Sequence, residues 1–265
     1  MAKGKNRVQY LGGQASISSS YGDWDFIYVA STTKDAKYNI GDRVVLPDGR
    51  EFTYAKSSGA CYSAVGCHFT ATGLLGGNMS GAPAIGDRTI TIGATTHTAV
   101  TADELRGGYI ILHYTAGVNY DEQVRGIIGN LASISAAALT VYMDGPLTTA
   151  PTAGTLIEVF QNPYAAVIKA DSTTLPIAGV PAVYVSAANT YFWVQTRGFT
   201  FVAPQDSVVG ENGGIGCFWR ASGSIESMDT TIAGTVATND TSQYAGHTVE
   251  GTYSGTGPLF YLNGC

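Results

Sequence analysis

Charge is what this chain has least of. Asp, Glu, Lys and Arg make up 13% of its 265 residues, about half the ~25% share of an ordinary soluble domain. Disordered chains combine high charge with low hydrophobicity, whereas 45% of the residues here are hydrophobic, so a buried core is expected. An excess of base is also missing. The net charge of −6 leaves no footprint for neutralising phosphates, and no nucleic-acid partner is expected. The opening "MAKGKNRVQYLGGQ" has no apolar core of a secretory signal. The best apolar run, "LASISAAALTVYM", is thirteen residues and broken by serines, against the ~20 of a membrane span. No membrane partner is expected, and synthesis in a cytoplasm is.

Helical periodicity is missing too. No window longer than ten residues repeats at the helical spacing, which removes Rossmann, TIM-barrel and other α/β scaffolds. "TADELRGG" opens with the capping pattern Thr101-x-x-Glu104, but Gly107 and Gly108 stop it after one turn.

Catalytic constellations are equally scarce. There is no G-x-S-x-G elbow, and His68, His97, His113 and His247 stand apart, without triad or ligand spacing. Four cysteines in a chain this long make no disulfide framework. Cys61, Cys67 and His68 suggest a metal clip, but their spacer does not match the short zinc spacings and no second ligand pair follows; buried or loop thiols are expected. Paired acids occur at Asp23 with Asp25, Asp103 with Glu104, and Asp121 with Glu122. Asp23 and Asp25 flank Trp24 and share a face if the chain is extended, which suits a cation, a sugar or a glycosidase pair; solvated loop acids are the plainer reading. No catalytic residue, cofactor or metal ligand is assigned, and the chain is expected not to be an enzyme.

What is present is a succession of short β-prone runs punctuated by turns. In "DRVVLPDGREFTYA", Arg43–Leu46 and Glu51–Ala55 flank Pro47-Asp48-Gly49, where proline presets one corner and glycine accepts the positive φ that closes the hairpin. Further strands are expected at 89–93, 108–114, 123–128, 138–143, 155–160, 165–170, 182–187 and 189–202. The fold class is therefore all-β, a β-sandwich or β-barrel-like domain over 41–204. An extended N-terminal arm over 1–40 and a smaller C-terminal β-subdomain over 205–265 are expected to flank it. The arm holds Lys3, Lys5 and Arg7 and an aromatic anchor at Trp24 and Phe26.

The densest aromatic stretch is "NTYFWVQTRGFTFV", residues 189–202. On a strand Tyr191, Trp193, Gln195 and Arg197 alternate onto one face, and Phe192, Val194 and Thr196 onto the other. Tyr, Trp and Arg are enriched at interface hot spots, so the first row is a candidate partner surface. The other reading is a sheet buried on both faces. A surface of Ala, Gly, Ser, Thr and Tyr with little charge favours an assembly component over a free monomer.

The stretches "GDRVVLPDGREFTYAKSSGA" (41–60), "GLLGG" (73–77) with "TIGATTHTAVTADE" (91–104), "ADELRGGYIILHYTAG" (102–117), "LTVYMDGPLTTAPTAGTLIEVFQNPYAAVI" (139–168) and "GVPAVYVSAANTYFWVQTRG" (179–198), in this order, resemble the head decoration, or cement, proteins of tailed bacteriophages. The resemblance covers roughly residues 40–202 and consists of hairpins and glycine turns. It implies a virion protein on the capsid exterior, many copies per shell, a homotrimer, and the major capsid protein as partner. No site residues come with it. The alternative is a receptor- or carbohydrate-binding β-module of a tail fibre, using Trp24, Trp219 or the tyrosines. A hydrolase built on Asp23 and Asp25 is the remaining rival.

Overall fold

The computed structural model describes residues 8–11, 14–17, 24–70, 73–94, 97–113, 122–171, 175–204, 216–227, 243–251 and 257–264. The chain is all β, in two curled sheets whose pairings are antiparallel apart from one. It divides into two compact units, residues 1–70 with 164–265, and residues 71–163.

The second unit is a six-stranded sheet. Its strands are β6 (Gly73–Asn78), β7 (Thr89–Ile92), β8 (Tyr109–His113), β9 (Gln123–Asn130), β10 (Leu139–Met143) and β11 (Leu156–Phe160), in the order β6-β11-β8-β9-β10-β7. Ser80 N donates to Thr91 O at 2.8 Å and Gly93 N to Asn78 O at 2.9 Å, so the two outer strands meet. Period-two alternation sends Ile90, Ile110, Leu112, Val141, Ile157 and Val159 inward to one shared core. Each such side chain contributes about 1.5–3 kcal/mol relative to exposure. "LASISAAAL" forms no helix: Val100 and Ser133 exchange backbone hydrogen bonds of 2.8 Å there.

Among the described residues the first unit holds the other twelve strands. The expected hairpin is β3 (Arg43–Val45) and β4 (Glu51–Lys56), closed by Leu46 N donating to Arg50 O at 2.8 Å. β4 pairs with β14 (Tyr191–Thr200), and the sheet continues through β18 (Leu259–Asn263), β17 (Tyr244–Glu250), β15 (Gly216–Trp219) and β16 (Ile225–Ser227). β14 also pairs with β13 (Ile177–Pro181), which joins β5 (Cys67–Phe69) and β12 (Val167–Lys169).

Four expectations are corrected. Residues 8–17 are no free arm: β1 (Val8–Leu11) and β2 (Gln14–Ile17) form a hairpin, and β2 runs parallel to β3. The strands after residue 205 are no subdomain, because β18 extends the sheet of β14, and the expected main domain is split by the insertion of 71–163. Turn residues mark where strands end, not which strands pair, so a long-range pairing such as β14 with β18 leaves no local mark. Residues 182–187 are not a strand either. Val185 makes an isolated bridge to Cys61, and the strand lies earlier, at β13.

Two glycines separate torsional from steric constraint. Gly49 closes the β3–β4 turn at φ +85 with open space where a Cβ would go, while Gly179 has φ +141 and its Cβ would lie 2.3 Å from Gln195 O. Gly49→Ala is expected to lower stability by about 1 kcal/mol and Gly179→Ala by about 3 kcal/mol or more, measured by urea denaturation. Equal losses would show that the β13–β14 approach is not tight.

Candidate functional site

β14 is buried on both faces. Phe192 and Val194 enter one core cluster with Ala55, Cys61, Val167 and Val185, while Trp193 enters another with Ile27, Val44, Phe52 and Tyr54. Trp193 is 2% exposed and Gln195 6%. Gln195 Nε2 donates to Phe199 O at 2.9 Å and Arg197 O at 3.2 Å. The row expected to face a partner is thus corrected at Trp193 and Gln195, which are spent within the chain. Tyr191 is half-buried and Arg197 exposed, its guanidinium held above its usual value by Tyr261 and then Glu51. A register shift between Gln195 and Arg197 marks where β14 emerges.

The two sets of aromatic candidates do come together. The 3-10 turn Asp25–Tyr28 lies against β14 and buries Ile27. Phe26 packs edge-on against Trp193, with centroids 5.6 Å apart, and Trp24 lies 6.3 Å from Phe26. Tyr38 meets Trp193 edge-on at 4.9 Å and stacks on Phe26 at 5.5 Å. The anchor at Trp24 and Phe26 is therefore intramolecular. The segment is pinned by Ser31 and Tyr191, whose backbones exchange hydrogen bonds of 2.9 and 2.7 Å.

This packing leaves a recess of about 420 Å³ beside the cluster. It is lined by Phe26, Tyr38, Tyr54, Tyr191 and Trp193, with Val29, Ser31, Thr33, Lys34 and Asp35 completing it. Asp35 N donates to the Tyr54 hydroxyl at 3.1 Å, and Asp35 Oδ1 accepts from Lys37 N at 2.8 Å. Lys34 Nζ donates to Asn39 Oδ1 at 3.1 Å. Burial, followed by the charges of Asp35 and Tyr191, pushes the Tyr54 phenol up against the hydrogen bond from Asp35, so Tyr54 remains a neutral hydroxyl.

The second unit carries a different feature on the outer face of its sheet. Tyr109, Ile111, Val124, Leu156 and Phe160 occupy registers that share this face. Val124 is 55% exposed, and Ile128 further along β9 is 50% exposed. Among them stands His113, with Nδ1 3.3 Å from Glu122 Oε1 and Nε2 3.2 Å from Glu158 Oε2. The second contact is an ion pair lying off the N–H direction, so Nε2 makes no directed hydrogen bond. Burial pulls the His113 imidazolium down, but the contacts and charges of Glu122 and Glu158 outweigh it and raise the net value. Sequence spacing hid this trio, since Glu158 reaches His113 only through the β8–β11 pairing.

The remaining candidates do not converge. Cys61, Cys67 and Cys217 are buried thiols outside any disulfide, and burial pushes the Cys61 thiol to about 12 and Cys217 to about 11, which removes thiolate reactivity at those two. Cys67 Sγ donates to Gly179 O at 3.4 Å, and His68 Nε2 lies 2.9 Å from Asp171 Oδ1. Among the described residues no group of His, Cys, Asp and Glu is arranged to hold a metal. Asp25 is exposed, while Asp23 and Asp121 lie outside the described residues. Glu104 accepts from Thr101 N and Oγ1 at 2.8 Å, a capping contact on a turn. Trp219, a candidate glycan contact, is 4% exposed and belongs to a core. Among the described residues no helix is long and apolar enough to cross a membrane. No protein-family model matches the sequence, and neither a curated protein nor a solved structure matches it.

Two outcomes follow from these positions. Trp193→Ala is expected to destabilise the fold by about 3–5 kcal/mol while Arg197→Ala leaves the denaturation midpoint nearly unchanged; the reverse order would restore Trp193 as a surface residue. Because the folded His113 value lies above the ordinary 6.5, its ion pairs stabilise fully below that pH and lose their effect as pH rises through the folded value. The wild type is expected to exceed His113→Gln in urea midpoint at about pH 6 and to match it at about pH 9. A gap that widened with pH would contradict the pairing.

Proposed function

We propose that this chain is a decoration protein of a tailed-phage head, a non-catalytic virion component that binds the capsid exterior and bridges major capsid subunits. It acts as a homotrimer present in many copies. The observation that carries the reading is the outer face of the six-stranded sheet. Tyr109, Val124, Ile128 and Leu156 are all exposed on a chain with only 13% charged residues. A solitary protein gains nothing from a cluster of exposed apolar side chains, which raises its tendency to associate. A clamp uses such a face, because many equivalent weak contacts add up over a lattice. The resemblance over residues 40–202 supplies the kind of lattice.

The stiff β scaffold supports the same reading. Six strands share one packed core beneath the exposed face, so the contact surface is held in shape before binding and little ordering entropy is lost on docking.

The test is sedimentation of the purified chain, alone and mixed with emptied phage heads stripped of decoration. The wild type is expected to run as a trimer and to pellet with the heads. Val124→Asp combined with Ile128→Asp is expected to lower head binding about tenfold or more with an unchanged thermal midpoint. A monomer that leaves the heads bare, or a double variant that binds like wild type, refutes the proposal.

A further inference from the structure

The recess beside Trp193 combines open aromatic surface with hydrogen-bonding groups of balanced charge, and nothing in the decoration reading uses it. We infer that it is a saccharide-binding site for gluco-configured oligosaccharides, a second binding activity independent of shell attachment.

Size comes first. At about 420 Å³ the recess lies within the ~300–1,000 Å³ range of small-molecule sites, large enough for a sugar ring and its neighbour to enter. The walls come next. Phe26 and Tyr38 are half-buried, so part of each ring remains open, while Trp193 beneath them meets both rings edge-on and holds them in place. Pyranoses whose hydroxyls are all equatorial present flat C–H faces that lie on such rings, leaving their hydroxyls pointing outward at the rim.

The rim has the groups that those hydroxyls need. Asp35 is exposed and is oriented by its hydrogen bond from Lys37 N, so its carboxylate can accept from two adjacent hydroxyls. The Tyr54 oxygen, in the floor of the recess, accepts from Asp35 N and holds Asp35 beside the rings. Ser31, Thr33 and Lys34 add further donors.

Charge separates this ligand from the other one that aromatic clusters bind. A cage for a quaternary ammonium requires net negative potential and empty ring faces. Here Lys34 balances Asp35, and Lys56 already sets its ammonium 5.9 Å from the Tyr191 ring centroid. A neutral, polyhydroxylated ligand fits and a cation does not.

The experiment is calorimetric titration of the full chain with cellotetraose, with tetra-N-acetylchitotetraose and with tetramethylammonium, tryptophan fluorescence being recorded in parallel. One or both sugars are expected to bind saturably and to shift the emission. Asp35→Asn keeps the acceptor for Lys37 N and is expected to retain the thermal midpoint while weakening sugar binding about tenfold or more. Tyr38→Ala, which removes an open ring of the wall, is expected to abolish binding. The inference is overturned if neither sugar binds at about 10 mM, a concentration that reaches weak affinities of a few kcal/mol. It is equally overturned if both variants bind as wild type does, or if tetramethylammonium binds in place of the sugars. None of these results bears on shell sedimentation, so the two readings stand or fall separately.

Discussion

Two-sided burial of β14 is the constraint on which the first unit depends. At Val194 and Gln195 the strand has ladder partners on both edges, β4 and β13, and at its far end it pairs with β18. A strand with both edges paired can be covered on both faces without stranding backbone groups, and this one is. Phe192 and Val194 fill one core while Trp193 fills another. Every other element of the unit is then placed by what it covers. The hairpin β3–β4 supplies Val44, Phe52 and Tyr54 to the Trp193 side, and the turn at Asp25–Tyr28 closes that side with Ile27. The recess exists because this closure is made by bulky rings meeting edge to face, an arrangement that aromatic quadrupoles favour and that leaves gaps between ring edges at the rim.

Residue pattern made some of this legible and hid the rest for definable reasons. The β3–β4 hairpin could be read because proline and glycine at adjacent turn positions have few other uses. The strands of the second unit other than β6 could be read because residues such as Ile110, Leu112, Ile157 and Val159 alternate with outward positions, whereas the glycine-rich run that forms β6 reads as a flexible connection. β14 defeated the same logic. When both faces are buried, alternation no longer separates core from surface, and Trp193 and Arg197 fell in one row although one is enclosed and the other exposed. The register shift between Gln195 and Arg197 is a backbone event with no side-chain signature. The division into units was hidden too, since it rests on strands that meet across more than a hundred residues, as Glu51 and Arg197 do.

Polar groups inside the first unit show how a low-charge chain satisfies its interior. Ser57 Oγ donates to Ala187 O at 2.7 Å and accepts from Thr190 N at 3.0 Å. Gln195 serves two carbonyls where β14 bends away from its partner. Uncharged side chains that cap irregular backbone avoid the desolvation penalty of buried ions, and this lets the core run close to the surface without salt bridges. The ion pairs that do occur, such as Arg50 with Asp48, include at least one partly exposed partner, where they add little.

That economy bears on where recognition can reside. With few charges to spend, long-range steering is weak, and contacts must come from shape and apolar area. The outer sheet face of the second unit and the ring-lined recess of the first are built from those resources, yet they differ in kind. An open sheet face matches a broad protein surface, whereas a concave recess with Asp35 at its rim matches a small polar ligand. The only described histidine held between two carboxylates, His113, lies within the sheet face and not at the recess. Loss of its proton would leave Glu122 and Glu158 uncompensated among apolar neighbours, so any partner docked over that face would feel the change.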